Sequence, residues 1–224
     1  VKKLPWLTVV VFAGTAAVSL WAAVDGDVMR ALGRDPAGFS AGGWWRLFSA
    51  LLVQADGWTQ LVFNLLTLAG FGYLVEAGLG RWRWAVLYFG AGLLGQALGY
   101  AWEPPGGGNS VAVCGLVGGL AAAALLNRMT LPPNTGYLTA LYAVALTGTL
   151  LSDWVVTMIG MLVLVAAFVV LRRTGRGTGI LAVLVPLAGL VLLVRQDHHG
   201  ASLLFGVLAG AVTLWRVPRL APTP

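Results

Sequence analysis

Two residues far apart in the chain are of the types needed for acyl-transfer chemistry. Ser110, in the run Gly108-Asn109-Ser110, opens one apolar stretch; His199, in His198-His199, opens another. A serine hydroxyl is a weak nucleophile until a neighbouring base takes its proton, and imidazole is the commonest such base. Polar side chains in membrane-length apolar segments are costly and therefore often functional. The two residues can meet only if both helix mouths lie on the same side of a bilayer.

On the first helix, Ser110, Cys114, Gly118 and Ala121 share a face, and on the second, His199, Ser202, Gly206 and Gly210 share another. Small residues let helix backbones approach closely in a membrane, so these faces are expected to pack with Ser110 and His199 at the outer end of the contact. The face through His198 continues through Ala201 to the bulky Phe205. That makes His199 the better base and sends His198 towards water or headgroups. A helix-mouth serine also serves as an N-cap, so further support matters. Gln60 and Asn64, four residues apart on one helix face, place two amide groups where they can donate to a developing oxyanion or, equally, satisfy helix partners. Cys114 is a rival nucleophile one turn deeper than Ser110, but apolar burial disfavours its thiolate. Asp153 falls on the same outer side as His199 with nothing to bring it close. Asp197, two residues before His199, is expected to point to a different side of the helix.

The elements that must position these groups follow from composition. Of 224 residues, 58% are hydrophobic and 10% charged, well below the roughly 25% charged of a soluble domain. Apolar runs approach the roughly 20 residues that cross a bilayer. The chain reads as an all-α polytopic membrane protein with about eight spans, near 4–24, 58–78, 83–102, 111–127, 136–152, 154–171, 179–195 and 199–215. The run after Lys2-Lys3 is read as a span rather than a cleaved signal. The break at Ser152-Asp153 is the least marked, and a tight hairpin there avoids an over-long helix. The net charge of +6 is spread over segment ends, which orients membrane helices and argues against nucleic-acid binding. One cysteine excludes an internal disulfide and a cysteine-rich metal site, and no cofactor or metal is expected.

With both termini in the cytoplasm, Lys2, Lys3, Arg81, Arg83, Arg128, Arg172, Arg173, Arg176, Arg216 and Arg219 lie inside, against Arg30, Arg34, Arg46 and Arg195 outside. The acids sort the other way: Glu76 alone is inside, and Asp25, Asp27, Asp35, Asp56, Glu103, Asp153 and Asp197 are outside. Ser110 and His199 therefore share the outer side. The segment 25–57, with Phe39, Trp44, Trp45 and Phe48, reads as a half-buried interfacial element on that face.

Several short motifs recur in a particular order: Trp45-Arg46, Gln60-Leu61-Val62-Phe63-Asn64, Glu76-Ala77-Gly78-Leu79-Gly80, Gly108-Asn109-Ser110-Val111-Ala112-Val113-Cys114-Gly115, and His199-x-x-Ser202-x-x-x-Gly206. Together they resemble the rhomboid family of intramembrane serine proteases over roughly residues 40–128 and 195–212. The resemblance implies a six-helix core, here within a single domain 1–224 carrying an extra transmembrane hairpin at about 129–173. It also implies a Ser110–His199 dyad and an oxyanion and substrate-binding set of Asn64, Gln60, Gly108 and the Ser110 amide. Its substrates would be transmembrane segments of other proteins, and the bilayer its medium. The chain departs from the family pattern where Gln54 and Gln60 replace histidines and where Val111, whose β-branch threatens to crowd the site, replaces a glycine. These departures leave a catalytically inactive, client-binding relative as the second expectation. A small transporter is the third, disfavoured because no charge falls at mid-span. Composition rich in Ala, Gly and in Arg over Lys suggests a GC-rich bacterium, and the expected location is a bacterial inner (plasma) membrane.

Overall fold

The computed structural model describes residues 4–102, 105–174 and 177–218. Lys2, Lys3, Glu103, Arg176 and Arg219, which contribute to the charge sorting, lie outside the described residues. Every expected span is a helix: α1 (Trp6–Val24), α5 (Gly57–Gly78), α6 (Arg81–Trp102), α7 (Ser110–Leu126), α8 (Thr135–Leu150), α9 (Trp154–Arg173), α10 (Leu184–Val194), entered through a 3₁₀ turn at Thr178–Val183, and α11 (His198–Leu214). Between α1 and α5 run three short helices, α2 (Gly26–Leu32), α3 (Pro36–Ser40) and α4 (Arg46–Ser49). Helices α1, α5 and α9 are long and apolar enough to cross a bilayer.

The Ser152-Asp153 break is a hairpin. Ser152 adopts a left-handed φ of 54°, and Asp153 accepts from the Val156 amide at 3.0 Å to cap α9. Asp153 is thereby committed to its own helix and takes no part in holding His199. The hairpin closes because Gly148 leaves room for Thr157 against its backbone.

Helix α7 is the hub. Every residue from Val111 to Ala123 is buried, because α5, α6, α8 and α11 all pack against it. Its closest neighbour is α11, and the contact is made of backbone. A Cβ on Gly118 would collide with the Leu203 carbonyl, and one on Gly206 with the Gly115 carbonyl. A Cβ on Gly210 would lie 2.9 Å from the Gly119 Cα. Gly118, on the expected face, meets α11 directly, whereas Gly115 and Gly119 touch α11 through their backbone and direct their missing side chains at Leu87 of α6. Cys114 turns the other way, towards Tyr142 of α8 at 3.7 Å. Phe205 does not separate helices; its ring lies over Gly90 of α6, where a Cβ would sit 2.5 Å from Cζ.

At the opposite end of the bundle Glu76, buried near the end of α5, accepts from the Leu7 and Thr8 amides at 3.1 and 2.9 Å, from the Thr8 hydroxyl at 2.9 Å and from Arg81 Nε at 3.2 Å. It thus satisfies amides that the first turn of α1 cannot. Glu76→Ala is expected to lower stability by about 2 kcal/mol, read as an earlier melting transition of the purified protein. An unchanged transition would mean that water replaces the carboxylate without loss.

Candidate active site

The segment that delivers Ser110 is held by the loop before α5. The Arg34 amide donates to the Gly106 carbonyl at 2.6 Å and the Gly106 amide returns the bond to Arg34 at 3.0 Å. The Ala55 amide donates to Gly107 at 3.2 Å, and the Gly108 amide donates to the Ala50 carbonyl at 2.9 Å. Arg46, of the Trp-Arg pair, anchors that loop by donating to the Arg30 and Gly33 carbonyls at 2.7 and 2.9 Å. Gly108 has a φ of 157°, a conformation that only glycine adopts readily. A Cβ there would also meet Gln60 Nε2 at 2.8 Å. Its amide and its carbonyl, which accepts from Gln96 at 3.2 Å, are both committed to the frame. Gly108 shapes the approach to Ser110.

The structure brings Ser110 and His199 together. Ser110 Oγ lies 2.8 Å from His199 Nε2. His199 Nδ1 lies 2.7 Å from Asp197 Oδ1, which corrects the expectation that Asp197 points elsewhere. That expectation treated Asp197 as a helical residue. It is instead the N-cap of α11, extended at φ −91° and ψ 125°, so helical-wheel spacing does not apply to it. A cap aspartate reaches back to the second or third helical amide, and here the same oxygen accepts from the His199 amide at 2.8 Å. Burial raises the Asp197 pKa, but the hydrogen bond from the His199 ring, the nearby histidine charge and the His199 amide outweigh it. The carboxyl is left below its ordinary range and ionised near neutrality. Its contribution to stability is present above the ordinary carboxylate pKa and is lost as pH falls through the lowered one.

His198 is likewise not in water. It is buried, with its ring stacked on that of His199 at a centroid distance of 4.5 Å. Asp197, His198 and His199 bring ligand-type atoms within 4.8 Å of one another, but both His199 nitrogens are already engaged by Ser110 and Asp197. A cation would have to displace those contacts.

Gln60 and Asn64 both face the site with their amides partly occupied. Gln60 Nε2 donates to the Gly107 carbonyl at 3.3 Å, and its Oε1 accepts from the Asp56 amide at 3.0 Å. Asn64 Nδ2 donates to Gln54 Oε1 at 2.7 Å, Gln54 Nε2 donates to Asn109 Oδ1 at 3.1 Å, and Asn109 Nδ2 donates to the Tyr88 hydroxyl at 3.3 Å. Each primary amide keeps a second N–H. The Ser110 amide, first in α7, has no carbonyl within its own helix to bind and sits at the positive end of the helix dipole. Val111 does not crowd the site: its side chain fills the space left by Gly95 of α6, where a Cβ would lie 2.8 Å from Val111 Cβ.

Two cavities meet at the pair. A polar one of about 190 Å³ is lined by Arg34, Gln60, Gln96, Gly106 to Gly108, Ser110, Asp197 and both histidines. An apolar one of about 350 Å³ runs between α5 and α8, past Phe63, Asn64, Leu146 and Leu150, to Ser110 and His199. Sequence reasoning missed Asp197, His198, Asn109 and Gln96. An aspartate directly before an apolar helix is a readable N-cap signal; the other three carry no local signature.

The family model of the Rhomboid domain matches residues 41–219. The chain belongs to the rhomboid family. Among relatives, this rhomboid is 36% identical over 88 residues to Rhomboid protease GluP of Bacillus subtilis, covering 39% of this chain and 17% of GluP. It is 37% identical over 67 residues to the rhomboid relative YdcA of the same bacterium, covering 30% of this chain and 33% of YdcA. The matched stretches thus span a third or less of these relatives' own length.

Proposed function

We propose that this rhomboid is an intramembrane serine endopeptidase that cuts transmembrane segments of other membrane proteins. The observation that carries the reading is the 2.8 Å contact between Ser110 Oγ and His199 Nε2, set where a polar and an apolar cavity meet. Ser110 Oγ attacks the scissile carbonyl carbon while its proton passes to Nε2. The carbonyl oxygen becomes an oxyanion facing the Ser110 amide, with the second N–H groups of Asn64 and Gln60 as further donors. The C–N bond breaks as the imidazolium returns the proton to the leaving amine. Water then attacks the acyl-enzyme with His199 as base, and Ser110 is regenerated.

The apolar cavity between α5 and α8 suits an unwinding stretch of substrate helix arriving from lipid, and the polar one supplies water. Helix α7 has 17 residues against 22 in α5 and α6. At about 1.5 Å per residue it is some 7 Å shorter, which is consistent with a Ser110 recessed from the outer surface. Charge sorting supports about eight spans, cytoplasmic termini and a site towards the outer face, and the bacterial relatives support a plasma-membrane location. Within the single domain the segment 25–57 serves as the interfacial element. Of the added pair within 129–173, α8 walls the apolar cavity and α9 lies outside it.

A second reading, an inactive relative that binds transmembrane clients, draws on one observation: the donors of Asn64 and Gln60 are already paired with Gln54 and Gly107. Labelling with a fluorophosphonate separates the two. Wild type and Cys114→Ala are expected to take the label, and Ser110→Ala and His199→Ala to lose it. A folded wild type that stays unlabelled and co-purifies with a client would favour the second reading.

A further inference from the structure

The turn from α10 into α11 is built to hold one carboxylate. The Asp197 amide donates to the Leu192 carbonyl at 2.9 Å and the Gln196 amide to the Leu193 carbonyl at 3.0 Å, with Gln196 in the left-handed region at φ 57°. This is a Schellman ending for α10. Asp197 therefore closes α10 and caps α11 at once. The corner is tight: a Cβ on Gly200 would lie 2.6 Å from the Gly189 carbonyl oxygen. One oxygen, Oδ1, accepts both the His199 backbone amide at 2.8 Å and the His199 ring at 2.7 Å. The backbone bond fixes the oxygen, and the oxygen fixes the ring.

We propose that Asp197 is the positioning residue of His199, its carboxylate holding the imidazole with Nδ1 protonated and Nε2 bare towards Ser110. The inference rests on the protease reading above and deepens it. The site becomes a triad in which the base and its orienting anion lie two residues apart at one helix N-terminus, with the His198 ring stacked on the base. A neutral imidazole otherwise distributes its proton between two nitrogens, and only the Nδ1–H form accepts from serine. An anion beside Nδ1 selects that form and stabilises the imidazolium made during attack. Other ionisable groups around the pair, among the described residues, are His198 on the same helix, Arg34 and Asp56 from the chain before α5, and Cys114 on α7.

The variant that tests this is Asp197→Asn, because asparagine caps a helix as well as aspartate does. Against a reconstituted transmembrane substrate, kcat is expected to fall about 10- to 100-fold with KM within about twofold, the range of a lost charge-assisted hydrogen bond. The acid limb of the kcat/KM profile should move to lower pH, since the anion favouring the protonated ring is gone; a purely structural cap would not move it. A kcat within about twofold of wild type and an unmoved limb would overturn the proposal. Nitrogen-15 spectra of the two histidines, assigned with His198→Gln, read the ring directly. Nδ1–H at His199 in wild type, lost in Asp197→Ala, which removes the acceptor oxygen that asparagine would keep, supports positioning even if no substrate is cut, in which case the protease reading alone fails. The same His199 tautomer distribution in both proteins overturns positioning whatever the activity.

Discussion

Ser110→Ala, His199→Ala and the double variant are expected to fall to the same residual activity, on the order of 10⁴-fold or more below wild type. The two groups meet at 2.8 Å, and in the proposed mechanism they perform one proton transfer between them. Removing the hydroxyl leaves the imidazole nothing to deprotonate, and removing the imidazole leaves the hydroxyl protonated. Once one is lost, losing the other costs nothing more. Cleavage of a transmembrane substrate in proteoliposomes, beside melting curves showing each variant folded, measures it. A double variant lower than the singles by the product of their separate losses would mean that Ser110 and His199 act independently.

Gly118→Val and Gly206→Val are expected to do severe structural damage. At each position even a Cβ would strike a carbonyl of the facing helix. A backbone carbonyl cannot swing aside as a side chain does, so α7 and α11 must separate. Overpacking of a tight core costs about 1–3 kcal/mol, occasionally more, and separation would also pull His199 away from Ser110. The expected result is a lower melting temperature together with loss of fluorophosphonate labelling. Gly70→Ala is the control, since nothing lies within 4 Å of a Cβ there. If Gly118→Val melted and labelled as Gly70→Ala does, the helices would not be in backbone contact.

Much of this was legible before any coordinates. The eight apolar runs became helices because apolar length and breakers are strong local signals. The meeting of Ser110 and His199 agrees with the charge sorting, which puts both helix mouths on one side. What stayed illegible depended on lateral order and on non-helical residues. Cys114 lies on the Ser110 side of a helical wheel, yet that side faces Tyr142 of α8, because nothing local says which helix stands beside α7. Val111 reads as an obstruction until Gly95, from another helix, is seen to receive it. Helical spacing misplaces Asp197 because it is an extended cap. Nothing next to His198 in the chain encodes the stacked packing on His199 in which it is buried.

The contrast between α7 and α9 carries a consequence for how this chain tolerates change over generations. On α7, Val111 to Ala123 are enclosed by protein on every side, whereas on α9 only Leu164 is buried. Lipid accepts almost any apolar side chain, while a neighbouring backbone accepts almost none. Substitutions among apolar residues should accumulate along α9 and be purged along α7. Two helices of similar hydrophobicity would then keep very different evolutionary clocks.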